Sequence, residues 1–208
     1  MYTIAPYLLP RLIPALHAHA PQMPLYISEN FTVALAEQLR QGELDVIIVA
    51  LPFEEPGVVV RRIYDEPFCV ALPSGHPLAS NPAISSAQVR GENLLLLGKG
   101  NCFRDQVIEA CPKLSQSGGI EGAMEGSSLE TVRHMVASGA GISVVPMSAA
   151  ESWPKDPNLL QIRPFKPPLP MRHVVLAWRV TFPRPQVIDA LSAAIEDAPP
   201  PGALSVVR

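Results

Sequence analysis

Cys102 and Cys111 stand nine residues apart in the run GKGNCFRDQVIEACP, and two thiols at that spacing can carry reversible redox chemistry. A thiolate attacks the O–O bond of a peroxide and becomes a sulfenic acid, which a second thiol converts to a disulfide. If the run is helical, nine residues rise roughly 13 Å and turn about 900°, so the two side chains leave opposite faces. A disulfide needs Cα atoms within about 7 Å. The helix with free thiols and the disulfide therefore exclude each other, which makes the segment a candidate two-state element.

Position along the predicted helix divides the roles. Cys102 falls at its start, just after GKGN, where backbone N–H groups and the helix dipole stabilise a thiolate. Lys99 and Arg104 are close in sequence and can add positive charge. Cys111 falls at its end, where the dipole disfavours an anion and Pro112 helps stop the helix. That suits a resolving thiol, which meets the oxidised sulfur only after the helix opens. Cys69, in PFCVAL, reads as a small buried hydrophobe.

The elements that must position these residues alternate between β-rich and helical runs. PLYISE and LDVIIVAL read as strands flanking the helical FTVALAEQLRQG, with Gly42 as its stop, and APYLLPRLIPALHAH reads as a helix before them. VVVRRIY and FCVAL read as two strands on either side of Asp65, Glu66 and Pro67. The alternation then restarts. ENLLLLG is a buried strand, NCFRDQVIEAC a short helix, GGIEGAME a possible strand and GISVVP a further strand. In SSLETVRHMVASG, Ser127 and Glu130 form the signature of a capping box. RHVVLAW closes the pattern as a strand and PQVIDALSAAIED as a helix. Two βαβ-like sets imply an α/β protein of two similar lobes. The expected boundaries are 1–68 plus 169–198 for the first lobe and 69–168 for the second, with 199–208 as a flexible tail. A clamshell of that kind suits a binding module whose closure reports a ligand.

Composition narrows the function class. The 208 residues are 48% hydrophobic and 17% charged, which is enough to bury a real core. Twenty-four prolines punctuate many short elements. A net charge of −3, with no basic run beyond Arg61–Arg62, argues against a domain that grips DNA by itself. No apolar run reaches the roughly 18–20 residues of a membrane span, and the proline-cut N-terminus is not a signal peptide. Three cysteines and no export signal point to the cytoplasm, where a disulfide is transient and functional. The histidines (His17, His19, His76, His134, His173) form no ligand set, so no metal and no cofactor is expected.

The segments TIAPYLLPRLIP, GELDVIIVAL, DEPFCVALPSGHPLA and EGSSLETVRHMVASGAGISVVP resemble the effector domains of LysR-type transcription regulators. GNCFRDQVIEAC resembles the redox segment of the peroxide-sensing members, including the cysteine spacing and the intervening RDQ. The resemblance covers the chain to about residue 195. It implies two Rossmann-like lobes joined by two crossover strands, as in periplasmic binding proteins. It also implies that Cys102 is the peroxidatic cysteine and Cys111 the resolving one. Thr3 and Thr32 match threonines around the peroxide pocket, Arg172 an arginine that helps hold the thiolate, and Asp105 a position beside the reactive segment. Those members commonly carry histidine before the reactive cysteine; here it is Asn101, which can cap the helix or donate a hydrogen bond. The implied partners are hydrogen peroxide as signal, a second or further copies in a homodimer or homotetramer, and promoter DNA through an N-terminal helix-turn-helix absent from this sequence. RNA polymerase and a thiol reductant of glutaredoxin or thioredoxin type complete the set, and the domain is a regulator rather than an enzyme. Three other readings remain: an effector domain binding a small organic anion at GSSLE with bystander cysteines, a thiol peroxidase, and an exported solute-binding protein.

Overall fold

Period-two and period-3.6 hydrophobic patterns fold here into two α/β units, which the chain joins by two passages, one at Glu66–Pro67 and one at Met171–Arg172. A computed structural model describes residues 1–110 and 124–206.

The first unit comprises Met1–Glu66 and the chain from Arg172 onward. Helix α1 (Ala5–His19) buries Leu8, Leu12 and Leu16, a stripe repeating every four residues, and packs on α7 (Pro185–Asp197), which buries Ile188, Leu191 and Ile195. Pro10 and Pro14 lie on the exposed face of α1, so the ladder bonds they delete are lost where water can replace them. Helix α2 (Thr32–Gln41) stops at Gly42, whose φ of +84° closes the last turn through its N–H on the Gln38 and Leu39 carbonyls. Strand β1 (Val46–Ala50) pairs antiparallel with β7 (Met171–Arg179), Ile48 opposite Leu176.

Three sequence expectations for this unit are corrected. PLYISE forms no strand. An apolar groove of about 470 Å³, with Leu25, Tyr26 and Ile27 on one wall and Val46, Ile47 and Ile48 on another, separates it from β1, and a β run without a ladder partner stays irregular. VVVRRIY and FCVAL are one strand, β2 (Val58–Pro73). The acids between them are each partnered: Asp65 by Arg62 and His173, Glu66 by Arg172. Within the segment expected as a flexible tail, Leu204–Ser205 add strand β8 against Tyr64 and Asp65 of β2; residues 207–208 lie outside the described residues.

The second unit comprises Pro67–Met171. The latter part of β2 lies between β5 (Ile142–Pro146) and β6 (Leu160–Pro164), both antiparallel to it. Strand β3 (Leu94–Leu97), buried at every position, runs parallel to β5 and to the two-residue β4 (Glu125–Gly126). Of the GGIEGAME run, Glu125 lies in β4 and Met124 precedes it; residues 118–123 lie outside the described residues. Gly141 is required at the β3–β5 crossing, since a Cβ there would sit 2.3 Å from the Asn93 carbonyl oxygen. Helix α3 (Ser86–Val89) carries a capping box on Ser85 and Gln88 that the sequence reading passed over. In α5 (Leu129–Ala137) the expected box on Ser127 and Glu130 is absent. Ser128 is the N-cap, accepting from the Thr131 N–H, and Glu130 accepts instead from Trp153 and Arg133. Helix α6 (Met147–Ser152) follows β5 directly. No helix among the described residues is long and apolar enough to cross a membrane.

Candidate functional site

Helix α4 (Cys102–Ala110) begins where the sequence places it. Buried β3 delivers the chain to Gly98, and Gly100, with φ at +87°, turns it in a conformation that disfavours side chains. Asn101 then caps the helix: its Oδ1 accepts from the Phe103 N–H at 3.1 Å. Cys102 is thereby the first helical residue, half-buried and with its thiol free. Phe103 and Val107, one turn apart, anchor the inner face, and Phe103 meets Phe68 edge-on at 5.2 Å between ring centroids. Cys111 lies outside the described residues.

The charged neighbours of Cys102 are arranged differently from the simplest expectation. Arg104 is buried and turned inward, donating to the Leu97 carbonyl at 2.9 Å and to Glu125 at 2.7 Å. Its charge is thus shared with a carboxylate that sequence spacing did not point to. Lys99 and Asp105 are exposed. Gln106 is buried with its Oε1 unpartnered among the described residues. Cys69 is fully buried, its thiol directed at the Val145 carbonyl at 3.6 Å.

In the first unit, Thr3 and Arg172 come together around a residue not singled out from the sequence. Arg172 is 2% exposed; its Nε donates to Glu66 Oε2 at 2.6 Å, and its terminal nitrogens donate to the Thr3 hydroxyl at 2.9 Å and the Thr3 carbonyl at 2.8 Å. The signal available in sequence was an acid inside a β-rich run, since a carboxylate buried there demands a cation. The same pair acts on Tyr64. Burial raises its hydroxyl well above the ordinary tyrosine range; the Glu66 charge adds to this, and Arg172 opposes it. Thr32 is the first residue of α2, and its hydroxyl oxygen is buried and unpartnered among the described residues. It is not a cap, because Phe31 holds that position.

Asp65, next in the strand to Glu66, accepts from Arg62 Nε at 2.7 Å and faces His173 Nδ1 at 2.8 Å. Burial alone would raise its carboxyl, but the hydrogen bonds and charges of Arg62 and His173 outweigh it and hold the group below the usual aspartate range.

Comparison with known proteins follows the same lines. The family model of the LysR substrate binding domain matches residues 1–199. The probable hydrogen peroxide-inducible genes activator of Streptomyces viridosporus is 33% identical over 196 residues, 94% of this chain and 62% of that protein. The DNA-binding transcriptional dual regulator OxyR of Escherichia coli is 36% identical over 194 residues, 93% of this chain and 62% of that protein. The chain thus spans about 62% of the length of these relatives. Among solved structures, the reduced form of the OxyR regulatory domain from Pseudomonas aeruginosa is 52% identical, with a TM-score of 0.85 over 95% of this chain and 94% of that one. Structures of the reduced and the oxidised form of OxyR, both 34% identical over 94% of this chain and 92% of theirs, give TM-scores of 0.81 and 0.75.

Proposed function

The chain belongs to the LysR substrate binding domain family, on the branch of the OxyR regulatory domains, and from that premise we propose that it senses hydrogen peroxide through Cys102. The observation that carries this reading is the Asn101-capped start of α4, which presents a free, half-buried thiol at the first helical position. First-turn N–H groups there favour a sulfur anion. That anion attacks one peroxide oxygen. An S–O bond forms, the O–O bond breaks, and hydroxide leaves, taking up a proton to become water. Peroxide is small and uncharged, so holding it requires donors rather than a charged clamp. Thr3 and Thr32 supply hydroxyls for that role and Arg172 a cation, with Asn101, Arg104 and Asp105 shaping the reactive segment. Thr32 suits it because its hydroxyl oxygen has no internal partner among the described residues. Thr3 suits it because its oxygen already accepts from Arg172, which leaves its own proton to donate.

The second step is attack of the Cys111 thiolate on the Cys102 sulfenic sulfur, forming S–S and expelling hydroxide. Chain connectivity fixes what this requires. Cys102 and Ala110 are the ends of α4, so their Cα atoms are about 12 Å apart along the axis. One further Cα step of about 3.8 Å cannot bring residue 111 closer than about 8 Å. A disulfide tolerates about 7 Å. While α4 is intact to Ala110 the bond cannot close, so oxidation must unwind it.

The full regulator's activity follows on the same reading. Promoter binding through a helix-turn-helix, assembly as a homodimer or homotetramer, contact with RNA polymerase and resetting by a glutaredoxin- or thioredoxin-type reductant belong to this proposal. The test is direct: in Cys102→Ser, peroxide must no longer produce the intramolecular disulfide, measured by mass of the tryptic peptides. Persistence of a disulfide to Cys111 would refute the assignment.

A further inference from the structure

We infer that Glu125 is a positioning residue for the redox reaction: it holds the buried Arg104 guanidinium at the end of β3, keeps the first turn of α4 in its dithiol-form place, and so sets where the thiol–disulfide balance lies. The inference rests on the reading of Cys102 and Cys111 as the redox pair.

All of these groups belong to the second unit. Arg104 lies two residues after Cys102, and its Nη1 donates to the Leu97 carbonyl at 2.9 Å and to Glu125 Oε1 at 2.7 Å. Leu97 ends β3, and Glu125 opens β4, beyond the segment that carries Cys111. One guanidinium therefore ties the chain on both sides of the redox segment to the same strand end. The other carboxylate oxygen lies over the turn that leads to Cys102: a Cβ on Gly98 would sit 3.6 Å from Glu125 Oε2. Two backbone bonds bring β4 to the same place, from the Leu96 N–H to the Met124 carbonyl and from the Gly98 N–H to the Gly126 carbonyl. The two charges differ in exposure, 8% for the Arg104 side chain and 40% for that of Glu125. A guanidinium stays charged in a protein, and taking away the partner of a buried ion is strongly unfavourable. Among the described residues, Glu125 is the acid that pairs with Arg104. It thus favours the state in which Arg104 is buried, which is the helical one. Once α4 opens, Arg104 can reach water and needs no counter-charge, and the half-exposed carboxylate is already hydrated. The contact therefore stabilises the dithiol form more than the disulfide form. No step at sulfur is assigned to Glu125 itself; it acts through Arg104.

The test is the thiol–disulfide equilibrium of the intact 208-residue chain in glutathione buffers, read by mass of the Cys102 and Cys111 peptides after acid quenching and alkylation. In that exchange two glutathione thiols give two electrons and two protons to the protein disulfide, which becomes two thiols as one glutathione disulfide forms. A contact that stabilised both forms alike would not move this constant. In Glu125→Gln, which keeps shape and removes charge, the equilibrium is expected to shift toward the disulfide about three- to ten-fold, the range for a charged partner that is part-screened by solvent. The upper figure is a potential about 30 mV more negative for this two-electron couple. In an Arg104→Gln background, E125Q should produce no further shift. If E125Q does not fold, Glu125→Asp decides: its carboxylate is kept but drawn back from Nη1, and a smaller shift in the same direction is expected. A constant equal to the parent's, a shift toward the dithiol, or an equal shift with and without Arg104 overturns the inference. A parent chain in which no Cys102–Cys111 disulfide forms removes the underlying reading instead, so the two failures are told apart.

Discussion

Asn101 and Cys102 show how much of the proposed chemistry rests on single hydrogen bonds. The Asn101 side chain satisfies one of the first-turn N–H groups that no helix can bond internally. Asn101→Ala should cost about 1 kcal/mol, read as a lower unfolding midpoint. Two neighbouring titrating groups in β2 set the pH behaviour of the first unit, with opposite signs. Asp65 is held below its ordinary value, so it contributes stability that is present above the unfolded pKa and is lost as pH falls through the folded one. Tyr64 is held above its ordinary value, so its contribution is complete below the unfolded pKa and is lost as pH rises past it. Denaturant melts should therefore show stability falling on the acid side in the parent but less in Asp65→Asn. They should show it falling above about pH 10 in the parent but not in Tyr64→Phe. Identical pH profiles for parent and variant would contradict the respective assignment. At this scale the helix start at Cys102 was readable because the GKGN lead-in and the helical pattern after it are local. Glu66 was not, because its meaning depends on Arg172, 106 positions away in sequence.

On the proposed reading, helix α4 is where residue chemistry becomes a change of shape. It is held on the second unit by the apolar side chains of Phe103 and Val107 and by the Arg104 bonds to the Leu97 carbonyl and Glu125. Phe103→Ala should destabilise the unit by about 3–5 kcal/mol. It should also speed disulfide closure relative to Cys102 oxidation, because less packing must be broken to open the helix. A stable variant with unchanged closure would mean that the opening does not pass through this anchor. A second element-scale test is Gly141→Ala, whose new Cβ would strike the Asn93 carbonyl. A loss of several degrees in melting temperature is expected, since backbone rather than a flexible side chain must give way. Elements whose pattern is self-contained, such as α1, α5, β3 and β5, were legible from periodicity. PLYISE was not, because strand propensity is realised only beside a partner. The break expected between VVVRRIY and FCVAL failed for a related reason: carboxylates that signal a loop in isolation are tolerated in a strand once a cation faces them. The expected capping box gave way to a simple cap one residue later, with Ser128 accepting from the Thr131 N–H while Glu130 accepts from Trp153 and Arg133.

At the scale of the whole molecule, two α/β units linked by two passages of the chain give the LysR-type regulatory fold. The α/β class was visible in sequence, whereas β8 was not. A two-residue strand in a proline-rich tail has too little pattern to announce itself, and its place is set by the open edge of β2 at Tyr64 and Asp65. On the proposed reading α4 exchanges one state for another when Cys102 is oxidised. Amide hydrogen exchange of residues 103–110, followed by mass spectrometry before and after one equivalent of peroxide, tests this most directly. Protection of α4 should be lost in step with formation of the Cys102–Cys111 disulfide and should return on reduction. A disulfide that forms while residues 103–110 keep their protection would contradict the account.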